Sequence, residues 1–269
     1  LQKSYNYRNI FNNETFFFHP KDKNGTFIKP FDYNISGGKG AREAYGENNG
    51  WIYRWDVPHN IADLMELMGG KRNFSKALDS MFSAPLGRSK FAFYEILPDH
   101  TGNVGQFSMA NEPAFHIPYL YNYAGEPWKT QKRIRSLLNS WFRDDLMGMP
   151  GDEDGGGMCS FLVFSSMGFY PVTPGIPAYN IGSPLFENVK IQLSNGRYFE
   201  IEALGCSSEN KYIQSATLNG KPWLKSWFFH EEIRNGGKLI LKMGKKPNYK
   251  WGVVEVDARL SAENMKNVH

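Results

Sequence analysis

The chain has 269 residues, 41% of them hydrophobic and 22% charged, with a formal net charge of +4. That length accommodates one large core or two modest ones, and the mixture is that of a globular chain, not a disordered or fibrous one. Lys and Arg are scattered among Asp and Glu, so nothing argues for nucleic acid, and no apolar run reaches the length of a membrane span.

The start, Leu1-Gln2-Lys3-Ser4, carries neither an initiator Met nor a signal peptide, so a mature or truncated chain is expected. Sequons occur at Asn13, Asn24, Asn34 and Asn73, and matter only in a glycosylating pathway. Residues 1 to about 50 show no clear period. Phe16-Phe17-Phe18-His19-Pro20 reads as an extended segment running into a turn at Lys21–Gly25. Helices are expected only after that. Asn60 caps a helix with Ile61, Leu64, Met65 and Met68 on one face, stopped by Gly69-Gly70. Asn73 opens a second, with Phe74, Ala77, Leu78 and Met81 inward. Glu126-Pro127 leads a third, where Ile134, Leu137, Leu138 and Trp141 line one side and Lys132, Arg133 and Arg135 face solvent.

The apolar run Met158–Tyr170 has little polar face and predicts a central, buried helix. Cys159 falls inside it and reads as a structural free thiol; with Cys206 as the only other cysteine there is no disulfide framework. Past Pro171–Gly175 the period drops to two. Val189, Ile191 and Leu193, then Phe199, Ile201 and Ala203 across an Asn195-Gly196 turn, then Leu239, Leu241 and Met243, predict an antiparallel β-sandwich from about 176.

Polar clusters interrupt the helical region. Glu47 lies among Tyr45, Trp51 and Trp55, where partial desolvation suits a general acid; an ordinary surface Glu is the alternative. Asn111 and Glu112, stiffened by Pro113, offer hard oxygen ligands of the kind calcium takes, or else cap a turn. Asp152 and Asp154 stand two residues apart in Pro150-Gly151-Asp152-Glu153-Asp154-Gly155-Gly156-Gly157, at the mouth of the apolar helix. Seen alone, that pair also fits an Asp cap. Together with Glu47 it fits glycoside hydrolysis by two opposed carboxyls.

These motifs, with Val57-Pro58-His59, Tyr119–Gly125, Pro127-Trp128-Lys129-Thr130-Gln131, Met167–Pro171 and Ile181–Phe186, run in order along nearly the whole chain and resemble glycoside hydrolase family 92. The resemblance implies a calcium-dependent, inverting exo-α-mannosidase acting on terminal α-linked mannose of mannosides or N-glycans. It implies Glu47 as general acid, Asp154 assisted by Asp152 as base, and calcium near Asn111, Glu112 and Asp154. Trp51, Trp55 and His59 are expected to bind substrate. The implied fold is α+β: a partial α/α toroid over residues 1–175, then the sandwich over 176–269. Family members are longer, so a C-terminal portion is expected, with a preceding β domain or self-association as its partner, and a secreted or periplasmic location. Met109-Ala110 stands where many α-1,2-specific members carry His and an acidic residue or Gly, and Asn60 replaces a familiar Asp. The alternative to an enzyme is a non-catalytic carbohydrate-binding or structural fragment of one.

Overall fold

The computed structural model describes residues 2–35 and 43–254. A 3-10 helix, Gln2–Ile10, comes first, in a stretch whose sequence predicts none. Phe11–Asn12 (β1) and Phe17–Phe18 (β2) then form a small hairpin, and Lys21 bridges Phe27 around the expected turn.

The short helix Gly50–Tyr53 (α1) is capped by Asn49, which accepts from the Trp51 N–H at 3.1 Å. Helix Ile61–Leu67 (α2) begins at Asn60 as its pattern predicts. Lys71–Met81 (α3) starts at Lys71, with Gly70 at its N-cap, not at Asn73. Its inward residues, Phe74, Leu78 and Met81, are those expected. Lys90–Ile96 (α4) follows, capped by Ser89, and leads to the hairpin of Asn103–Val104 (β3) and Phe107–Ser108 (β4).

Leu120–Tyr123 (α5) precedes the long helix Pro127–Trp141 (α6). Ile134, Leu137 and Leu138 are buried as expected, but Arg135 is buried too. Its guanidinium donates to the Pro184 carbonyl at 2.6 Å and the Ser207 carbonyl at 2.5 Å. Acceptors brought from distant loops make a buried cation tolerable there. Helix Gly157–Met167 (α7) is less enclosed than its composition implies: Met158 and Phe161 are buried, while Cys159 is exposed and Val163 is 55% exposed.

Phe169–Tyr170 (β5) pairs with Ala178–Ile181 (β6). Asn188–Gln192 (β7), Tyr198–Leu204 (β8), Tyr212–Leu218 (β9), Lys221–Pro222 (β10), Trp227–Phe229 (β11) and Gly237–Gly244 (β12) complete the strands. One sheet has the order β10-β9-β12-β8-β7 and another β11-β6-β5. The larger sheet is not purely antiparallel as predicted, because β12 inserts between β9 and β8 and runs parallel to β8. The turns at Asn195-Gly196 and Asn219-Gly220 mark antiparallel neighbours correctly, but no local signal encodes a pairing across the chain from Phe199 to Gly237.

The molecule is thus a mixed helix-and-sheet fold with two apolar clusters. The first gathers Trp55, Phe74, Tyr121, Leu137 and Phe161, and extends to Ile176, Ala178 and Trp227. The second gathers Phe199, Ile201, Leu239 and Phe228, and reaches back to Phe169. Asn122 on α5 ties the two regions together through its side-chain amide, which donates to Ile181 O at 3.1 Å and to Ser226 O at 3.2 Å. Residues 255–269, the last of the predicted sandwich, lie outside the described residues.

Candidate active site

Loops from distant parts of the sequence converge on one cleft of about 310 Å³, lined by Glu47, Asp99, Thr101, Asn111, Asp152 and Asp154, with Pro98, Ala110 and Gly151. The β3–β4 hairpin delivers two of these loops to the same place. Met109 N–H bonds Gly102 O at 3.0 Å and the Ser108 hydroxyl bonds Thr101 O at 2.7 Å, so Thr101 and Asn111 emerge side by side. The Glu47 loop is pinned to that hairpin by Asn49, whose amide donates to Gln106 Oε1 at 3.0 Å.

Glu47 is half-buried, and its backbone N–H donates to the Tyr53 hydroxyl at 3.0 Å. Its carboxylate accepts from Asn111 Nδ2 at 3.1 Å. Two segments singled out separately in the sequence, the aromatic loop and the Asn-Glu-Pro turn, are therefore in direct contact. Beside Glu47, Asn48 is fully buried with neither amide atom partnered.

The third acidic segment reaches the cleft because residue 151 is glycine. A methyl group there would collide with the Ala110 carbonyl oxygen, so only Gly lets the loop lie against the turn that carries Asn111. Asp154, Gly155 and Gly156 then have φ values of 30, 70 and 94°. Three successive residues in the left-handed region reverse the chain before α7, and a non-glycine residue held there is strained, as functional loops often are. Asp154 does not cap the helix. Glu153 takes that part, accepting from the Cys159 N–H at 3.0 Å, and a hydrogen bond from the Cys159 thiol to the same carboxylate pushes the thiol's pKa up. Asp152 and Asp154 are left exposed on the cleft.

Glu112, next to Asn111 but not itself in the lining, lies against Gly157, and its Oε1 is buried without a hydrogen-bond partner among the described residues. Burial, reinforced by the negative charges of Asp154, Glu47 and Glu153, pushes its pKa up. A buried carboxylate oxygen facing other carboxylates is a place where a cation relieves an unfavourable field. Among the described residues no group of three or more His, Cys, Asp and Glu converges as a metal cluster by itself. Calcium also draws on amide, carbonyl and water oxygens, and the donor set of Asn111, Glu112 and Asp154 is of that hard-oxygen kind.

Trp51, Trp55 and His59, expected to bind substrate, stand back from the lining of the acidic cleft. Trp55 is fully buried, its indole N–H directed at Met81 Sδ at 3.2 Å. Trp51 donates to Asn34 Oδ1 at 2.8 Å and meets Phe17 edge-on at 5.2 Å. His59 sits against Ser4 O at 2.9 Å and Tyr7. None of the three lines the acidic cleft. Asp99 and Thr101 line the cleft and Tyr53 supports the Glu47 backbone from behind it, and none of the three stands among the site residues expected from the sequence. Asp99 and Thr101 belong to no motif and reach the cleft only through the hairpin, whereas Tyr53 lies in the same aromatic segment as Glu47, six residues on.

The chain matches the glycosyl hydrolase family 92 catalytic domain over residues 1–245. It is 34% identical, over 96% of its own length and 33% of the relative's, to an uncharacterized secreted glycosidase of Arthroderma benhamiae. Among solved structures it resembles a family GH92 inverting mannosidase from Bacteroides thetaiotaomicron, with 38% identity, a TM-score of 0.84, and coverage of 98% of this chain and 36% of that one. It also resembles a GH92 alpha-mannosidase of the same organism solved with mannoimidazole, at 32% identity and a TM-score of 0.84, covering 95% of this chain and 34% of that one. The chain thus spans about a third of the length of these relatives.

Proposed function

The chain belongs to glycosyl hydrolase family 92, and on that premise we propose that it is an exo-α-mannosidase, or the part of one that carries both catalytic carboxyl groups, removing terminal α-linked mannose with inversion. The observation that carries this reading is the single cleft holding Glu47, Asn111, Asp152 and Asp154, with the unpartnered Glu112 oxygen close by. Solved relatives named as mannosidases support the substrate class.

Glu47 gives its proton to the departing glycosidic oxygen. Asn111, donating to Glu47 Oε2, fixes the carboxyl group's orientation for that transfer. Asp154 accepts a proton from the water that attacks the opposite face of the sugar, and Asp152 holds that water. Asn111, Glu112 and Asp154 would hold calcium, which when bound supplies positive charge for vicinal mannose hydroxyls. We further propose that residues 1–175 form part of an α/α toroid and that 176–269 form a sandwich beside it. We also propose a secreted or periplasmic location; the name of the Arthroderma relative, a secreted glycosidase, supports the first of these.

The test is mannose release from α-1,2, α-1,3, α-1,4 and α-1,6 mannobioses, with calcium and with chelator. Calcium-dependent release that Glu47→Gln lowers by about a thousandfold or more is expected. Binding of mannosides with no release on any linkage, with or without a supplied N-terminal portion, would instead assign the chain to the non-catalytic class.

A further inference from the structure

Behind the Glu47 loop lies another cavity, of about 350 Å³, whose lining includes Tyr7, Phe18, Tyr45, Tyr53 and Asp56. It shares no lining residue with the acidic cleft: Ala44, Tyr45 and Gly46 face this cavity and Glu47 faces the other. Its wall is aromatic. The Tyr45 and Tyr53 rings stack with centroids 5.8 Å apart and planes 12° apart, and Tyr7 meets Phe18 edge-on. The polar groups on this wall are differently committed. The Tyr45 hydroxyl donates to the Phe18 carbonyl and is satisfied. The Tyr53 hydroxyl accepts the Glu47 N–H, and burial raises its pKa, so it retains its own proton to donate. Asp56 is exposed; its backbone N–H donates to the Tyr53 carbonyl at 3.0 Å, while its carboxylate has no hydrogen-bond or ion-pair partner among the described residues.

We propose that this cavity is a second hexose-binding subsite, distinct from the acidic cleft, in which a neutral pyranose lies along the Tyr45–Tyr53 wall with its hydroxyls on Asp56 and Tyr53. The C–H face of a pyranose is apolar and suits an aromatic wall, while a carboxylate accepts from adjacent hydroxyls. Among the described residues the lining holds no Lys or Arg, and burial, reinforced by the charge of Lys29, lowers the pKa of its one histidine, His19, so the wall itself offers no cation to a phosphate or carboxylate ligand. The choice of a hexose over other neutral ligands rests on the mannoside reading given above. Because Tyr53 touches the Glu47 backbone directly, a sugar held there abuts the loop that carries the acid.

The full chain with labelled tyrosines is titrated with methyl α-mannopyranoside and followed by NMR. Saturable shifts of the Tyr45 and Tyr53 ring signals are expected. They persist in Glu47→Gln and weaken at least about tenfold in Asp56→Ala, with Asp56→Asn as the companion variant if the alanine form does not fold. Ring signals that stay still while amides of the Glu47–Asp152 cleft respond overturn the second subsite and leave the proposed function standing. Ring signals that respond while the cleft neither binds nor hydrolyses mannosides do the reverse. A response to tetramethylammonium in place of the sugar, lost in Asp56→Ala, also overturns the proposal by making the cavity a cation site.

Discussion

Gly151 decides how closely two acidic loops approach, because its missing side chain is what admits the Ala110 carbonyl. Gly151→Ala is expected to move Asp152 away from Asn111. Its predicted effect is a fall of at least about tenfold in kcat/KM for mannoside hydrolysis, with circular dichroism unchanged. Glu112 makes a separate prediction. If its buried oxygen takes calcium, then calcium raises the melting temperature of the wild-type chain, and Glu112→Gln shrinks that rise by half or more, about what losing one ligand from such a site implies. A full calcium response in the variant would remove Glu112 from the ligand set. At this scale the convergence of the acidic loops on one cleft was legible, because acidic residues set among glycines or beside a proline stand out against the usual composition of loops. The positions of Trp55 and His59 behind the cleft lining were not, since an aromatic that fills a core and one that lines a sugar site are the same residue in a sequence. Only the Met81 and Ser4 contacts separate the two cases.

Helices α2 and α6 declared themselves by apolar spacing, and their faces are those the pattern assigned, apart from Arg135. A cation next to Ile134 reads as a solvent residue until the Pro184 and Ser207 carbonyls are known to reach it, and those lie far along the chain. Arg135→Leu strands both carbonyls and is predicted to destabilise the fold by about 2–4 kcal/mol, measured as a lower urea midpoint. The start of α7 offers a smaller effect. Glu153 supplies the acceptor that the Asp pair was expected to provide. Glu153→Ala should therefore cost about 1 kcal/mol of stability, and Asp152→Ala close to nothing, by the same measurement.

For the molecule as a whole, acid exposes the cost of a buried imidazole. His100 is fully buried, Nε2 bonded to Gln106 O at 2.8 Å, and desolvation lowers its pKa from 6.5 to about 4. The unfolded chain therefore takes up a proton first. Stability owed to neutral His100 is complete above about pH 6.5, declines as pH falls toward about 4, and is level below that, a loss of about 3 kcal/mol. Urea midpoints across this window should fall less steeply in His100→Gln than in the wild-type chain. A second whole-molecule property follows from the place of β12. β12, the last strand among the described residues, lies in the middle of the larger sheet, between β8 and β9. On the ribosome, β8 and β9 therefore emerge with no common partner, and each keeps an open edge until Gly237–Gly244 has cleared the exit tunnel. A chain stalled before Gly237 would therefore carry two halves of this sheet with nothing to join them, each a docking edge for a chaperone or for another chain.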